Sequence, residues 1–312
     1  MNTVYVKKTK NLEQDVKELI KKLQIKKLAK GSKIFIKINL SLDRDYPGTT
    51  TSPDILKIIV SELSKDYEVM AGDSNPSACN TDHAFKITGT KQAIIEAGGT
   101  PVNLSKDKKV LVKNPKSLIH KEYWMPASII NADAVISLAL LKTHVFTTMT
   151  STIKNMFGSY PRLKILHHQY LDKAIHDVIL MTKPNYAIID GRIGMEGRGP
   201  VEGTPKKVGI IMGSNNLISC DTEACKIMGI KPEKVKHLML CNKTLGGLKY
   251  TLKGPSIRKK FKPATPGLID KIQALSFKSK TTIYLCYKTP LFKAIKFTAK
   301  TLKDIGRYIR IR

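Results

Sequence analysis

Asp133-Ala134-Val135-Ile136-Ser137-Leu138-Ala139-Leu140 is an almost unbroken apolar run, and it ends in the polar string Leu141-Lys142-Thr143-His144. A run of this kind reads as a strand covered on both faces, because the alternation of apolar and polar residues is lost where neither face meets water. The flanking sequence supplies the covers. Upstream, Lys33–Leu40 is rich in β-formers, and Ser52-Pro53-Asp54 opens an apolar-periodic run (Ile55, Ile58, Ile59, Leu63) with Ser at the cap and Pro in the first turn. Tyr67–Ala71 reads as the next strand, residues 82–97 as a helix stopped by Gly98-Gly99, and Pro101–Leu104 as a short strand. Downstream come a helix over 171–182, strands at Tyr186–Ile189 and Val208–Met212, and a helix over Thr222–Met228 stopped at Gly229. Strands alternating with helices predict an α/β fold with a mainly parallel sheet flanked by helices over residues 1–245.

Residues 246–312 have a different texture. Gly254-Pro255, Lys259-Lys260-Phe261-Lys262-Pro263 and Thr265-Pro266-Gly267 read as a basic linker, followed by a helix near 267–277, an apolar patch at Ile283–Tyr287 and a terminal helix from about 291. This basic C-terminal extension holds 17 Lys or Arg and two Asp, so it carries about half of the chain's formal charge of +29. Wound at about 100° per residue, 291–312 puts Leu291, Ile295, Ala299, Leu302, Ile305 and Ile309 in one stripe with lysines opposite or beside it. Two readings stand: a helix docked on its own domain, or a cationic amphipathic helix on an anionic membrane surface.

Composition narrows the function classes. With 312 residues, 42% of them hydrophobic, the chain can bury a sizeable core, and no run approaches the ~18 apolar residues of a membrane span. The N-terminus carries no signal-peptide pattern, so a cytoplasmic protein is expected, peripheral at the inner face of the membrane if the terminal helix binds lipid. Five cysteines never spaced Cys-x-x-Cys argue against a disulfide framework, a zinc ribbon and an iron–sulfur cluster. A charge of +29 suits an anionic partner, yet only eight of the 54 basic residues are Arg, aromatics make up 6%, and no nucleic-acid recognition motif appears. Nucleic acid is therefore disfavoured as a partner.

In open parallel sheets ligands gather at the carboxyl ends of strands, where loops and helix N-termini converge. Those ends are unusually polar here: Lys37-Ile38-Asn39 with Thr49-Thr50-Thr51-Ser52, then Gly72-Asp73-Ser74, Lys142-Thr143-His144, Thr150–Gly158, Asp190-Gly191 leading to Gly194–Gly203, and Gly213-Ser214 with Asp221 beyond. Lys37, Lys142 and Lys154, with Asn39, Ser74 and Asn155, are suited to hold a phosphate or carboxylate, Lys acting as a point charge. His144, Asp73 and Glu196 are the acid/base candidates, and Asp190 with Asp221 the candidates for a divalent metal. Each has a plainer reading as well, a solvated lysine or an Asp capping a turn beside Gly. The Gly194–Gly203 segment lacks both phosphate-loop and dinucleotide spacings.

The set Lys37-x-Asn39, Gly72-Asp73-Ser74, Leu141-Lys142-Thr143-His144, Lys154-Asn155-Met156-Phe157-Gly158, Asp190-Gly191 with Met195-Glu196-Gly197-x-Gly199-Pro200, and Gly213-Ser214 to Asp221 resembles the family called domain of unknown function 362 over about residues 30–240. The resemblance implies a shared site. Some members carry ferredoxin-like cysteine clusters; this chain has none, so electron transfer is not carried over. Members often have an Asp shortly after the Gly-Ser pair, where this chain has Asn215-Asn216. The expected function is an enzyme acting on a small anionic substrate by acid/base or metal-assisted chemistry, the alternative a non-catalytic anion-binding or membrane-surface scaffold. Lys37, Asp73, His144, Lys154, Asp190 and Glu196 are expected to converge on one cleft.

Overall fold

The computed structural model describes residues 2–41, 46–76, 80–161, 164–267, 270–271, 274–275, 277 and 281. The chain divides into two compact units, Met1–Lys164 with Tyr170–Thr265, and Ile165–Gln169 with Pro266–Arg312. In chain order the first contains β1 (Thr3–Lys8), α1 (Leu12–Lys22), β2 (Lys33–Lys37), α2 (Pro53–Leu63), β3 (Glu68–Asp73), α3 (Thr81–Ile87), α4 (Thr90–Glu96) and β4 (Thr100–Asn103). It continues with β5 (Lys109–Lys113), β6 (Glu122–Pro126), α5 (Ala127–Ile130), β7 (Ala134–His144), β8 (Thr148–Thr150), α6 (Thr152–Met156) and α7 (Leu171–Thr182). It closes with β9 (Tyr186–Glu196), β10 (Thr204–Ser214), α8 (Leu217–Met228), α9 (Lys236–Leu245) and β11 (Thr251–Lys253).

The nine-stranded sheet runs β11-β1-β10-β9-β7-β2-β3-β4, with β8 paired to β7. The run β9-β7-β2-β3-β4 is parallel throughout, while β10 pairs antiparallel with both β9 and β1. All eleven residues of β7 are buried, as its apolar run requires. Its side chains alternate between two cores: Ala134, Ile136 and Leu138 pack with α1, α2 and α4, and Val135 and Leu141 pack with α6, α7 and α8. Period-two alternation thus feeds both layers, and neither face needs polar residues.

Several elements depart from the sequence expectations for visible reasons. The helix expected over 82–97 is two helices, because Gly89 takes φ of 70° and Thr88 returns its hydroxyl to Ala84 O at 2.8 Å. The strand expected at Tyr186–Ile189 runs on to Glu196, and Gly194–Gly203 is the end of a long hairpin in which Thr204 faces Glu196. The helix expected from Thr222 begins at Leu217, capped by Asn216, whose side chain accepts from Ser219 N. Residues 246–265, read as linker, add β11 to the edge strand β1 and bury Ile257 and Phe261. The β5–β6 hairpin, a separate two-stranded sheet, was not expected. In the second unit the His168 and Phe277 rings lie 4.7 Å apart. The apolar patch at Ile283–Tyr287 and the terminal helix 291–312 lie outside the described residues.

Candidate functional site

Two parallel strands, β2 and β3, end side by side next to the longer β7: Lys37 of β2 faces Gly72 of β3 on one side and Ser137 of β7 on the other. The Lys37 side chain is fully buried; its Nζ lies 2.8 Å from Asp73 Oδ1 and donates to Ile38 O at 2.5 Å. Asp73 is saturated in turn, accepting from Ser74 N at 2.8 Å and Leu40 N at 2.9 Å. Burial pulls the Lys37 ammonium below its ordinary value, and the Asp73 carboxylate opposes the shift. Gly158 lies against this ion pair: a Cβ there would sit 2.5 Å from Lys37 Nζ and 2.6 Å from Asp73 Oδ1. Ser74 Oγ bonds Gly158 O and Tyr160 O, which ties the end of β3 to that segment.

A second set of contacts joins the sheet to α6. Asn155 Nδ2 reaches Lys37 O, Ser137 Oγ and Leu138 O at 2.9–3.2 Å, and its Oδ1 accepts from Asn39 Nδ2 at 3.2 Å. Asn39 Oδ1 accepts from Ser41 Oγ at 2.6 Å and from Lys142 Nζ at 3.0 Å. Lys142 completes its three donations with Ser41 Oγ at 3.2 Å and Thr49 O at 2.6 Å. All three acceptors are neutral. Burial, with the charge of Lys154 second, brings Lys142 down to about 7.

Lys154, half-buried on α6, is brought down to about 8, first by burial and then by Lys164, with Asp172 opposing. No hydrogen bond or ion pair holds its ammonium among the described residues. Three hydroxyls beside these lysines in the chain or the sheet are buried and unsatisfied: Thr49 Oγ1; Thr150 Oγ1, on the residue that faces Lys142 across β7 and β8; and Ser151 Oγ. Native interiors seldom leave such groups unbonded, and polar atoms of this kind suit a polar ligand. The turn that brings Thr150 back to Lys142 is strained, since Thr148, a β-branched residue, takes φ of 67°.

His144 Nδ1 accepts from Phe146 N at 3.1 Å, so a neutral ring carries its proton on Nε2. At Nε2 His144 is therefore a donor rather than a base. Thr143 Oγ1 bonds Gly197 O at 2.8 Å and holds the Gly-rich hairpin end, where a Cβ on Gly199 would meet Thr143 O at 2.0 Å.

The structure thus joins Lys37, Asn39, Asp73, Ser74, Lys142 and Asn155 in one hydrogen-bonded assembly, with Lys154 electrostatically coupled to it. Three expected members are engaged elsewhere. Glu196 accepts from Lys206 Nζ at 2.6 Å and Lys262 N at 3.0 Å. Asp190 takes Arg192 on both oxygens, and the same guanidinium holds Asp54. Asp221 caps α6, accepting from Thr152 N, Thr152 Oγ1 and Ile153 N at 2.6–3.0 Å. Among the described residues no group of three or more His, Cys, Asp and Glu side chains is placed to hold a metal ion. Ser41 and Asp172, which act on Lys142 and Lys154, carry no signal in the sequence beyond being polar. Fully buried His237, with Nδ1 3.4 Å from Asp172 Oδ1 and neither ring nitrogen hydrogen-bonded, was equally invisible.

Comparison with known proteins agrees with the extent of this assembly. The family model described as domain of unknown function (DUF362) matches residues 34–226. A thylakoid-associated protein of Synechocystis sp. is 32% identical over 113 residues, 34% of this chain. The chain spans about a third of that curated relative's length. Among solved structures, the lactate racemase apoprotein of Thermoanaerobacterium thermosaccharolyticum aligns over 72% of this chain and 57% of its own, with 12% identity and a TM-score of 0.46. A structural-genomics target from Thermotoga maritima aligns over 64% and 53%, with 9% identity and a TM-score of 0.34.

Proposed function

The chain belongs to the DUF362 family, and we propose that it is an enzyme that binds a small phosphate- or carboxylate-bearing substrate at Lys154, beside the buried charge of Lys142, and moves a proton with Lys154. The observation that carries this reading is the pair of amines itself. Lys142 has only neutral acceptors, Lys154 has no partner among the described residues, and each depresses or is depressed by a neighbouring positive charge. An anion placed at Lys154 offsets its charge and its repulsion with Lys142, and it offers acceptors to the unsatisfied hydroxyls of Thr49, Thr150 and Ser151. An amine that titrates at about 8 is roughly one-tenth free base at pH 7, far more than an ordinary lysine, which suits it better to proton abstraction.

Within this reading Lys37, Asn39, Asp73, Ser74 and Asn155 are positioning residues that set the floor of the site. His144, whose Nδ1 accepts from Phe146 N, receives no base role. Glu196, Asp190 and Asp221 receive no catalytic or metal role, since their oxygens are committed to Lys206, Arg192 and the start of α6. The basic extension, with Lys or Arg at 17 positions of 67, supports attachment to an anionic membrane surface through 291–312, and the Synechocystis relative is by name thylakoid-associated. No helix among the described residues is long and apolar enough to cross a membrane. Buried free thiols at Cys220, Cys225 and Cys241 support a reducing compartment, in keeping with a cytoplasmic face.

Calorimetric titration of the full chain with inorganic phosphate and with lactate tests the reading. Saturable binding of at least one of them, weakened about tenfold or more in Lys154→Met with a thermal midpoint no lower than that of the wild type, is expected. Equal binding by both proteins, or none by the wild type, overturns it.

A further inference from the structure

The β5–β6 hairpin breaks the patterning rule of a sheet covered on one face. In a two-stranded sheet with one covered face, inward residues are apolar and outward ones polar. Inward, Tyr123 and Met125 are buried in the core and Val112 packs on it. Outward, Leu111 stands directly opposite Trp124, and the two are 40% and 45% exposed. Leu118, in the connection between the strands, is 47% exposed. Three large apolar side chains on one projecting element are more than the scattered exposure of an ordinary surface.

The surroundings of these residues are cationic. Residues 105–124 contain six lysines, no arginine, and only Asp107 and Glu122 as acids. Lys113 is paired with Glu122 at 2.7 Å, whereas the side chains of Lys108, Lys109 and Lys116 hold no hydrogen bond or ion pair among the described residues. Lys109 and Lys113 flank Leu111 on its own face of the strand. We infer that this hairpin docks on an anionic lipid surface, with Leu111, Leu118 and Trp124 entering the headgroup region and Lys108, Lys109 and Lys116 meeting lipid phosphates. The chemistry matches at each point. An indole prefers the interface, where its ring is apolar and its N–H wet, and lysine stems lie along apolar surface with their ammonium in water. Nucleic acid fits less well, because the hairpin has a single exposed aromatic and no guanidinium. The inference rests on neither the Lys142–Lys154 site nor residues 291–312.

Trp124 is the only tryptophan of the chain, so selectively excited tryptophan emission of the full-length protein reads this hairpin alone. Phosphatidylcholine vesicles containing phosphatidylserine are expected to shift its emission to the blue, and brominated acyl chains to quench it; pure phosphatidylcholine should do neither. A surface lysine is worth about fivefold in partitioning, so the triple variant K108E/K109E/K116E should lose at least tenfold, and Leu111→Ser should weaken the shift while keeping the probe. Because quenching is read on the wild type, the outcome does not depend on a variant's folding. Vesicle binding that leaves Trp124 unshifted and unquenched overturns the inference. So does a shift produced equally by nucleic acid, or by raising the protein concentration without lipid.

Discussion

The ammonium of Lys37 lies 2.8 Å from the carboxylate of Asp73, and the Lys37 side chain has no contact with solvent. Asp73 spends its remaining acceptors on the backbone of Leu40 and Ser74, so the pair is a closed structural element under the site. A buried pair of this kind contributes less by existing than it costs to break, because removing one partner leaves an uncompensated charge in the interior.

Asp73→Asn should therefore destabilise the protein by about 3–5 kcal/mol, read as a lower urea midpoint. Adding Lys37→Met to that variant should recover a substantial part of the loss. If Asp73→Asn unfolds like wild type and only turnover falls, Asp73 is an acid/base group and the positioning role is wrong.

Gly158→Ala tests the same pair from above. A methyl at 2.5 Å from Lys37 Nζ has no room while that ammonium is held by Asp73 and Ile38 O. Overpacking of this order costs about 1–3 kcal/mol, measurable by thermal unfolding.

The lysines also set a pH dependence. Lys142 titrates at about 7 in the folded protein and near its ordinary value of 10.5 when unfolded, so between these limits the unfolded chain holds more protons. Stability then rises with pH across that window, by up to about 1.4 kcal/mol per pH unit from this one residue. Lys154, at about 8, adds in the same direction over a narrower range. Urea unfolding at a series of pH values should show the rise in wild type and a flatter curve in Lys142→Met, with the variant more stable near pH 7.

Asp221→Asn separates capping from metal binding. Thr152 N and Ile153 N both donate to this carboxylate, and an amide has one oxygen to replace two. A loss of about 1–2 kcal/mol is expected, comparable to removal of a helix cap, with no change in metal content by elemental analysis.

The sequence was most legible where one residue type answers one physical need. The run at 133–140 has to be covered on both sides, and Lys37, Asn39, Lys142 and Asn155, at strand ends and a helix start, do meet. What it could not reveal was which charges neutralise each other. Asp190 looks free beside Gly191, yet Arg192 folds back onto it and reaches Asp54, 138 residues away in sequence. Asp221 looks like a ligand and is a cap, because its partners Thr152 and Ile153 come from a distant segment. The β5–β6 hairpin is hard to read from the sequence because Leu111 and Trp124 face outward and blur the apolar–polar alternation of its two strands.

The central claim is that Lys154, whose ammonium holds no hydrogen bond or ion pair among the described residues, is an amine ready to meet an anion. It is tested most directly by competitive amine labelling of the full-length protein over a range of pH, with the extent at each lysine read by mass spectrometry, with and without inorganic phosphate. The account predicts that Lys154 labels with a midpoint at about 8, well below the exposed lysines, and that phosphate suppresses its labelling. A Lys154 midpoint like that of the exposed lysines, unaffected by phosphate, would contradict it.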